Sequence, residues 1–196
     1  MEETQNGVLS QTLDEARLIQ KILEGDTDAF QQIVDMHGRN LFGLAYRMLG
    51  NEQEAEDVVQ ETLLSAYRQL ARFDGRSSLA TWLYRITSNR AIDVLRSRGR
   101  RKEVDPAEAP QEYAETREPD PERITYSGQM KQHINKALES LGPKERAAFV
   151  LRHYEGLSTA EIGEALGLGL SAAKHAVFRA VRKLKLILAP SGGMGS

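Results

Sequence analysis

One segment of this 196-residue chain, residues 103–127, has a composition that cannot form part of a packed core. It begins EVDPAEAPQEYAETREPDPER, which holds four prolines and an acidic excess but few aliphatic side chains. Such a segment buries too little apolar surface to offset the conformational entropy that ordering it would cost. It predicts an extended acidic linker between folded units at residues 13–102 and 128–188, with tails at residues 1–12 and 189–196.

Both units have the residue pattern of helices. Apolar side chains recur every three or four positions in segments such as LDEARLIQKILEGD and MKQHINKALESL. Gly50 is a typical helix-ending residue, and Asn51 can cap the helix that follows it. Farther along, Ser158 and Glu161 have the spacing of a capping box at the start of TAEIGEAL. The predicted fold class is all-α, with two small helical domains joined by a flexible acidic linker.

The composition excludes several classes of protein. No apolar run approaches the roughly 20 residues that a membrane-spanning helix needs. The first residues, MEETQNGVLS, do not have the basic and then apolar pattern of a secretory leader. With no cysteine, the chain can form no disulfide, thiolate zinc site or cysteine nucleophile. We therefore expect a cytoplasmic protein with no membrane insertion.

The net charge of −2 conceals a strong alternation along the chain. Counted by segment, the charge is −8 over residues 1–71, +7 over 72–102, −6 over 103–127 and +5 over 128–196. Clustered positive charge of this kind is the electrostatic signature of phosphate contact. For any single basic run, a solvated helix face is the alternative interpretation.

The second basic block contains the stretch LSTAEIGEALGLGLSAAKHAVFRAVRKL, which predicts two helices joined by a tight turn. Small residues at Ala160 and Gly163 would let the helices approach closely. The apolar seam is predicted to consist of Ile162, Leu166, Ala173, Val177 and Val181. The opposite face would carry Ala172, Lys174, His175, Phe178, Arg179 and Arg182. By itself, this pattern fits either a helix that reads the major groove of DNA or a helical pair with a solvated basic face.

Two longer segments resemble bacterial sigma factors of the small extracytoplasmic-function (ECF) class, group 4 of the sigma-70 family. The run AEDVVQETLLSAYRQLARFDGRSSLATWLYRITSNRAIDVLRSRGRR is similar to the second region of these proteins. The run ALESLGPKERAAFVLRHYEGLSTAEIGEALGLGLSAAKHAVFRAVRKL is similar to their fourth region. The resemblance covers residues 13–101 and 128–188, and no third region lies between them. It implies a region 2 helical bundle, a region 4 helix-turn-helix and promoter-specific initiation with core RNA polymerase.

The resemblance implies that the helix EDVVQETLLSAYR docks on the coiled coil of the polymerase β′ clamp. Its polar contacts would be Asp57, Gln60 and Glu61. Without the resemblance, the same acidic side chains are explained by favourable interaction with the positive end of the helix dipole.

The loop and helix start DGRSSLATW correspond to the part of the family that receives a base flipped out of the −10 element. Asn89 falls where the family places a residue that reads this base, and its amide can both donate and accept hydrogen bonds. The implied −10 contacts are Asn89, Arg76, Ser77, Ser78, Arg90 and Arg96. Phe73, Trp82 and Tyr84, interleaved with arginines, could hold a single strand, although the spacing of Trp82 favours a core position. The arginines of residues 96–101 are expected to meet duplex phosphates.

For the −35 element, the family's base-reading and phosphate-contacting positions fall on Lys174, His175, Phe178 and Arg179. This sequence departs from the family in one respect. It has Ala176 where family members often carry a basic residue, and Ser171-Ala172 where they often have Gly-Thr. We therefore expect a weaker or differently specific −35 contact.

The partners implied by the resemblance are core RNA polymerase (the β′ clamp coiled coil and the β flap), promoter DNA and an anti-sigma factor. No cofactor, metal or catalytic activity is expected, because the four histidines lack ligand spacing and no serine lies in a nucleophile elbow. The acidic linker could mimic nucleic acid inside the polymerase or act as a plain tether. The alternative function is a stand-alone helix-turn-helix regulator with an N-terminal sensing or dimerisation domain.

Overall fold

The computed structural model describes residues 14–104 and 136–188, and these residues form helices and no strands. The helices are α1 (residues 14–23), α2 (Asp28–Leu49), α3 (Glu52–Gln69), a 3-10 turn (Leu70–Arg72), α4 (Leu79–Val104), α5 (described over residues 136–139), α6 (Pro143–His153), α7 (Thr159–Leu166) and α8 (Leu170–Leu188). The all-α prediction is confirmed.

The predicted linker begins two residues too early. Glu103 and Val104 belong to helix α4, in keeping with the high helical propensity of the Arg, Lys and Glu residues in this stretch. The rest of the predicted linker, residues 105–127, lies outside the described residues, as do the predicted tails.

The N-terminal half is a bundle of α1 to α4 whose boundaries follow from local capping. Asn51 accepts a hydrogen bond from the Glu54 backbone N–H at 2.9 Å and so caps α3, as predicted. Gly50 ends α2 in the left-handed conformation, with a φ of 68° that favours glycine. The fully buried side chains of this bundle include Ile33, Leu41, Leu44, Met48, Leu70, Leu79 and Leu83.

The C-terminal half packs α6, α7 and α8 together. The predicted capping box is present: Ser158 accepts from the Glu161 backbone N–H, and the Glu161 side chain accepts from the Ser158 backbone N–H. The apolar seam differs in part from the prediction. Val177 is only partly buried and Val181 is half-exposed, whereas the buried residues of α8 are Ala173, Ala176, Ala180 and Leu184.

Gly163 brings α7 against the turn that precedes α8. Its carbonyl accepts from the Leu168 backbone N–H at 2.8 Å. A Cβ atom at position 163 would lie 2.8 Å from the Leu168 carbonyl oxygen and 3.7 Å from the Ala173 Cβ. Since a backbone oxygen cannot move aside cheaply, the small side chain predicted here is a steric requirement.

Gly163→Ala is therefore expected to lower the free energy of unfolding by about 1–3 kcal/mol, as overpacking does in other cores. Urea unfolding of the full chain measures this loss. Gly169→Ala is the matched control, because a Cβ there meets nothing within 4 Å and its φ lies outside the left-handed region. Equal stability of the two variants would contradict the steric argument.

The two halves pack against each other, which the sequence did not predict. Buried apolar residues from α1 to α4 and from α6 to α8 belong to one continuous cluster. Two arginines close the C-terminal end of α2: Arg98 of α4 donates to the Leu49 carbonyl at 2.9 Å, and Arg146 of α6 donates to the Met48 carbonyl at 2.6 Å. The last carbonyls of a helix have no intrahelical partner, so these donors satisfy them.

A second polar contact joins the halves at the end of α6. The Tyr84 hydroxyl donates to Glu155 Oε2 at 2.9 Å, and Arg47 Nη1 lies 3.5 Å from Glu155 Oε1. The Arg47 guanidinium also lies 4.3 Å from the ring centroid of Tyr154. Burial raises the pKa of Glu155, and the Tyr84 hydrogen bond and the Arg47 charge oppose that rise. This carboxyl group therefore holds an interface contact and is not a free surface charge.

Candidate nucleic-acid interface

The four residues predicted for the −35 element share the exposed face of α8. Lys174, His175, Phe178 and Arg179 all project from the side opposite the buried alanines of that helix. Phe178 is 64% exposed and lies between the charged side chains of this face. A basic helix face with an exposed aromatic ring at its centre can contact phosphates and base edges in a major groove.

Ala176 does not belong to this face. It is buried against the rest of the helix-turn-helix, beside Ala173. The prediction that a missing basic residue at position 176 weakens the DNA contact is therefore not supported by its position, because the site is a packing position in this chain. Ala172, by contrast, is exposed next to Lys174.

Two cations of α8 are held by one carboxylate that sequence reasoning missed. Glu145 Oε1 accepts a hydrogen bond from Arg179 Nε at 2.9 Å, and Glu145 Oε2 accepts one from Lys183 Nζ at 2.6 Å. Burial raises the pKa of Glu145, but the hydrogen bonds and charges of Lys183 and Arg179 outweigh it and hold that pKa below its usual value. The i, i+4 spacing of Arg179 and Lys183 places two cations side by side on one face of α8. It does not predict that a carboxylate from another helix binds both of them.

Asn89, the predicted −10 reader, is exposed on α4 two turns before Arg96. The other predicted cations of this face are in exposed ion pairs. Arg90 Nη1 lies 3.6 Å from Glu61 Oε2, and Arg96 Nη1 lies 3.7 Å from Asp93 Oδ1. Exposed pairs of this kind contribute about 0–1 kcal/mol, so a DNA phosphate can replace the carboxylate.

The loop before α4 holds the three remaining −10 candidates. Arg76 is highly exposed and pairs with Asp74, with Nε 2.8 Å from Oδ2. Ser77 is half-buried. The Ser78 hydroxyl accepts from the Thr81 backbone N–H at 3.1 Å and lies 2.9 Å from the Thr81 hydroxyl, so it caps α4. In this structure, Ser78 fixes the start of the helix that carries Asn89.

The aromatic residues of this region do not offer a stacking surface. Trp82 and Tyr84 are only 7% and 6% exposed, and Phe73 packs against Trp82 with ring centroids 5.5 Å apart. The core position expected for Trp82 is confirmed, whereas the prediction that these rings hold a single strand does not fit their burial. Arg98 is likewise not a free phosphate contact, because it binds Glu54 and the end of α2.

The polymerase candidates Asp57, Gln60 and Glu61 are all exposed on α3. Glu61 also pairs with Arg90, so the structure brings one predicted polymerase contact beside one predicted DNA contact. Leu64 and Tyr67 are exposed on the same helix, at 51% and 41%. Apolar side chains mixed with polar ones are typical of protein interfaces. Sequence reasoning missed these two residues. The usable signal was that α3 has apolar side chains outside the stripe that forms its buried face.

Residues 14–104 and 136–188 contain no group of three or more His, Asp or Glu side chains that could hold a metal ion. Within the same described ranges, none of the helices combines the length and the apolar character that crossing a membrane requires.

Two segments of the chain match known families. Residues 33–101 match the family described as Sigma-70 region 2, and residues 131–184 match the family described as Sigma-70, region 4. The first match contains α3 and most of α4, and the second contains α6, α7 and α8 as far as residue 184.

Three relatives are similar to the chain over most of its length. It is 36% identical over 162 residues to the ECF RNA polymerase sigma factor SigE of Mycolicibacterium smegmatis, covering 82% of this chain and 62% of that protein. It is 34% identical to the ECF RNA polymerase sigma factor SigW of Bacillus subtilis, covering 85% and 92%. It is 33% identical to the RNA polymerase sigma-H factor of Pseudomonas aeruginosa, covering 93% and 97%. The chain thus spans less than two thirds of the first relative and nearly all of the other two.

Two solved structures have a similar fold over both halves of the chain. One is the structure of CnrH in complex with the cytosolic domain of CnrY, with a TM-score of 0.66 and 25% identity, covering 89% of this chain and 97% of that one. The other is the sigma factor RpoE in complex with the anti-sigma factor NepR from Bartonella quintana, with a TM-score of 0.62 and 25% identity, covering 83% and 98%.

Proposed function

Because the chain belongs to the extracytoplasmic-function class of sigma-70 family RNA polymerase sigma factors, we propose the following division of labour among its surfaces. Helix α3 docks on the β′ clamp of core polymerase through Asp57, Gln60 and Glu61. The exposed face of α4 around Asn89 selects and helps to melt the −10 element, and α8 reads the −35 element through the face that carries Arg179. The chain itself catalyses no reaction.

The observation that carries this proposal is the presence of two exposed basic helix faces, one in each half of the chain. A reader of one duplex site needs a single such face, whereas a protein that contacts two promoter elements needs two. The acidic start of α3 leaves a third surface of opposite charge for a protein partner.

The packed arrangement of the halves is not the one that contacts both elements at once. Elements centred near −35 and −10 lie roughly 25 base pairs apart, or about 85 Å along B-DNA. A compact chain of this length is only about 40 Å across. The segment of residues 105–135 could reach at most about 110 Å if extended, so the halves can separate while remaining joined.

A regulatory partner fits the packed arrangement. Both similar solved structures are complexes, one of them explicitly with an anti-sigma factor. We infer that this chain too is bound by an anti-sigma factor and that the packed arrangement of its halves is the form that such a partner binds. We place the protein in the cytoplasm, with the polymerase and the DNA.

Reconstituted transcription tests the proposal. The purified full chain, added to core polymerase on genomic DNA fragments, is expected to start transcripts at a discrete set of sites that share two upstream elements. A stand-alone regulator would instead shift duplex DNA tightly without polymerase. Uniform or unchanged initiation, together with no binding to core polymerase, would overturn the assignment.

Asp57→Lys provides the site-specific arm of this experiment. Reversing a charge at a docking surface is expected to weaken core polymerase binding at least about tenfold. Glu24→Lys is the matched control. Glu24 is exposed at the turn after α1, and its replacement by lysine changes the net charge by the same amount as Asp57→Lys. Equal affinities of the two variants would show that α3 is not the docking helix.

A further inference from the structure

Glu145 lies at the start of α6, beneath the exposed face of α8. Its side chain is 14% exposed, whereas those of Arg179 and Lys183 are 58% and 49% exposed. Each of its two carboxylate oxygens accepts one hydrogen bond, from Arg179 Nε and from Lys183 Nζ respectively. One largely buried carboxylate therefore binds two cations of α8, the helix that we propose reads the upstream promoter element.

The two cations are held in different ways. Arg179 donates to Glu145 through its Nε alone, and within the described residues its two terminal nitrogens make no hydrogen bond. Those terminal nitrogens form the fork that pairs with guanine or with a phosphate. Lys183 has a single charged nitrogen, and this nitrogen is the atom that Glu145 binds.

The consequences for DNA contact are opposite for the two residues. A guanidinium fixed through Nε presents its fork in one orientation, which favours a directional contact with a base edge. An ammonium paired with a carboxylate contributes little to phosphate attraction, which is the part of DNA binding that ignores sequence.

We propose that Glu145 is a positioning residue that sets the specificity of α8 for the upstream promoter element. It orients the terminal nitrogens of Arg179 and neutralises the charge of Lys183. The affinity of α8 for DNA therefore depends more on contacts with base edges and less on attraction to phosphates. This inference rests on the proposed function, because it assumes that α8 reads the upstream element.

The test uses the complete protein bound to core polymerase. Binding is measured at several salt concentrations to a promoter found by mapping transcript starts, and to the same promoter with its upstream element scrambled. The ratio of the two affinities reports sequence reading, and the salt dependence on the scrambled promoter reports the number of phosphates neutralised.

Glu145→Gln keeps the shape of the side chain and removes its charge. It is expected to reduce the affinity ratio about tenfold or more and to steepen the salt dependence (log K against log salt) by about one, the contribution of one freed cation. Glu164→Gln is the matched control, since Glu164 is exposed on α7 and makes no ion pair within the described residues. The control is expected to change neither quantity.

Two further variants separate the possible failures. Lys183→Met in the Glu145→Gln background is expected to restore the wild-type salt dependence and leave the affinity ratio low. A ratio and salt dependence unchanged by Glu145→Gln would overturn the proposal, as would a steep salt dependence that survives Lys183→Met. Arg179→Ala tests the premise: if it too leaves the ratio unchanged, the assignment of α8 to the upstream element is wrong, and not only the role of Glu145.

Discussion

Arg146→Ala is expected to lower the free energy of unfolding by about 3 kcal/mol and to loosen the contact between the two halves. The Arg146 guanidinium donates to the Met48 carbonyl at 2.6 Å across 98 residues of sequence, and the residue is almost fully buried. Its loss leaves a buried carbonyl without a donor and a gap where the side chain packed.

The groups around Arg146 confine the structural effect of its removal to the interface between the halves. Burial lowers the pKa of Arg146, the charge of Glu139 raises it, and the charge of Arg98 lowers it further. Arg146 thus sits beside another cation because both groups close the end of α2. Removing Arg146 leaves Arg98 bound to the Leu49 carbonyl, so the N-terminal bundle keeps its own cap.

Urea unfolding measures the loss of stability, and small-angle scattering measures the radius of gyration. Arg146→Met is the matched control, because it retains apolar volume and loses the guanidinium with its charge and hydrogen bond, at a cost of about 1–2 kcal/mol. A rise in the radius of gyration is expected for Arg146→Ala. Unchanged stability and an unchanged radius in that variant would contradict the role of this residue in holding the halves together.

Asn89→Ala is expected to reduce base discrimination at one position of the −10 element by about 10- to 100-fold. A bidentate amide contact with a base contributes about 1–3 kcal/mol of discrimination, and alanine can make no such contact. Core polymerase binding is expected to stay unchanged, because Asn89 is exposed on α4 and is not one of the α3 docking residues.

The measurement is a selection by the holoenzyme from promoters randomised over the −10 element, with core binding followed separately. Gln32→Ala is the control, since Gln32 is an exposed amide on α2. Unaltered selection by Asn89→Ala would remove Asn89 from the reading site. Loss of polymerase binding in that variant would show instead that its role belongs to the docking surface.

The features that the sequence predicted well are local ones. Asn51 caps α3, and Ser158 with Glu161 caps α7, because each of these bonds joins residues three positions apart. Capping of this kind depends on the identity of two nearby residues and on little else. The exposed face of α8 was also predicted correctly, since the i, i+4 spacing alone places Lys174 beside Phe178 and His175 beside Arg179.

The errors arose where helical spacing left more than one solution. Val177 and Val181 were placed in the seam with Ala173, but Ala173 alone of these three is fully buried, and the other buried residues of α8 are Ala176, Ala180 and Leu184. Both stripes run along the same helix about one residue apart, and only the shape of the facing helices selects between them. Tyr84 could likewise be core or surface by type, and the bundle buries it.

By itself, the sequence determined the helices, their caps and the exposed basic faces, and its ordered motifs identified the family. Only the tertiary structure showed that Arg146 closes a helix of the other half and that Glu145 holds Arg179, a residue 34 positions away. Local structure depends on residues within one or two helical turns, which periodicity and capping rules describe. A contact between distant helices depends instead on how whole surfaces fit, and no spacing along the chain encodes that fit.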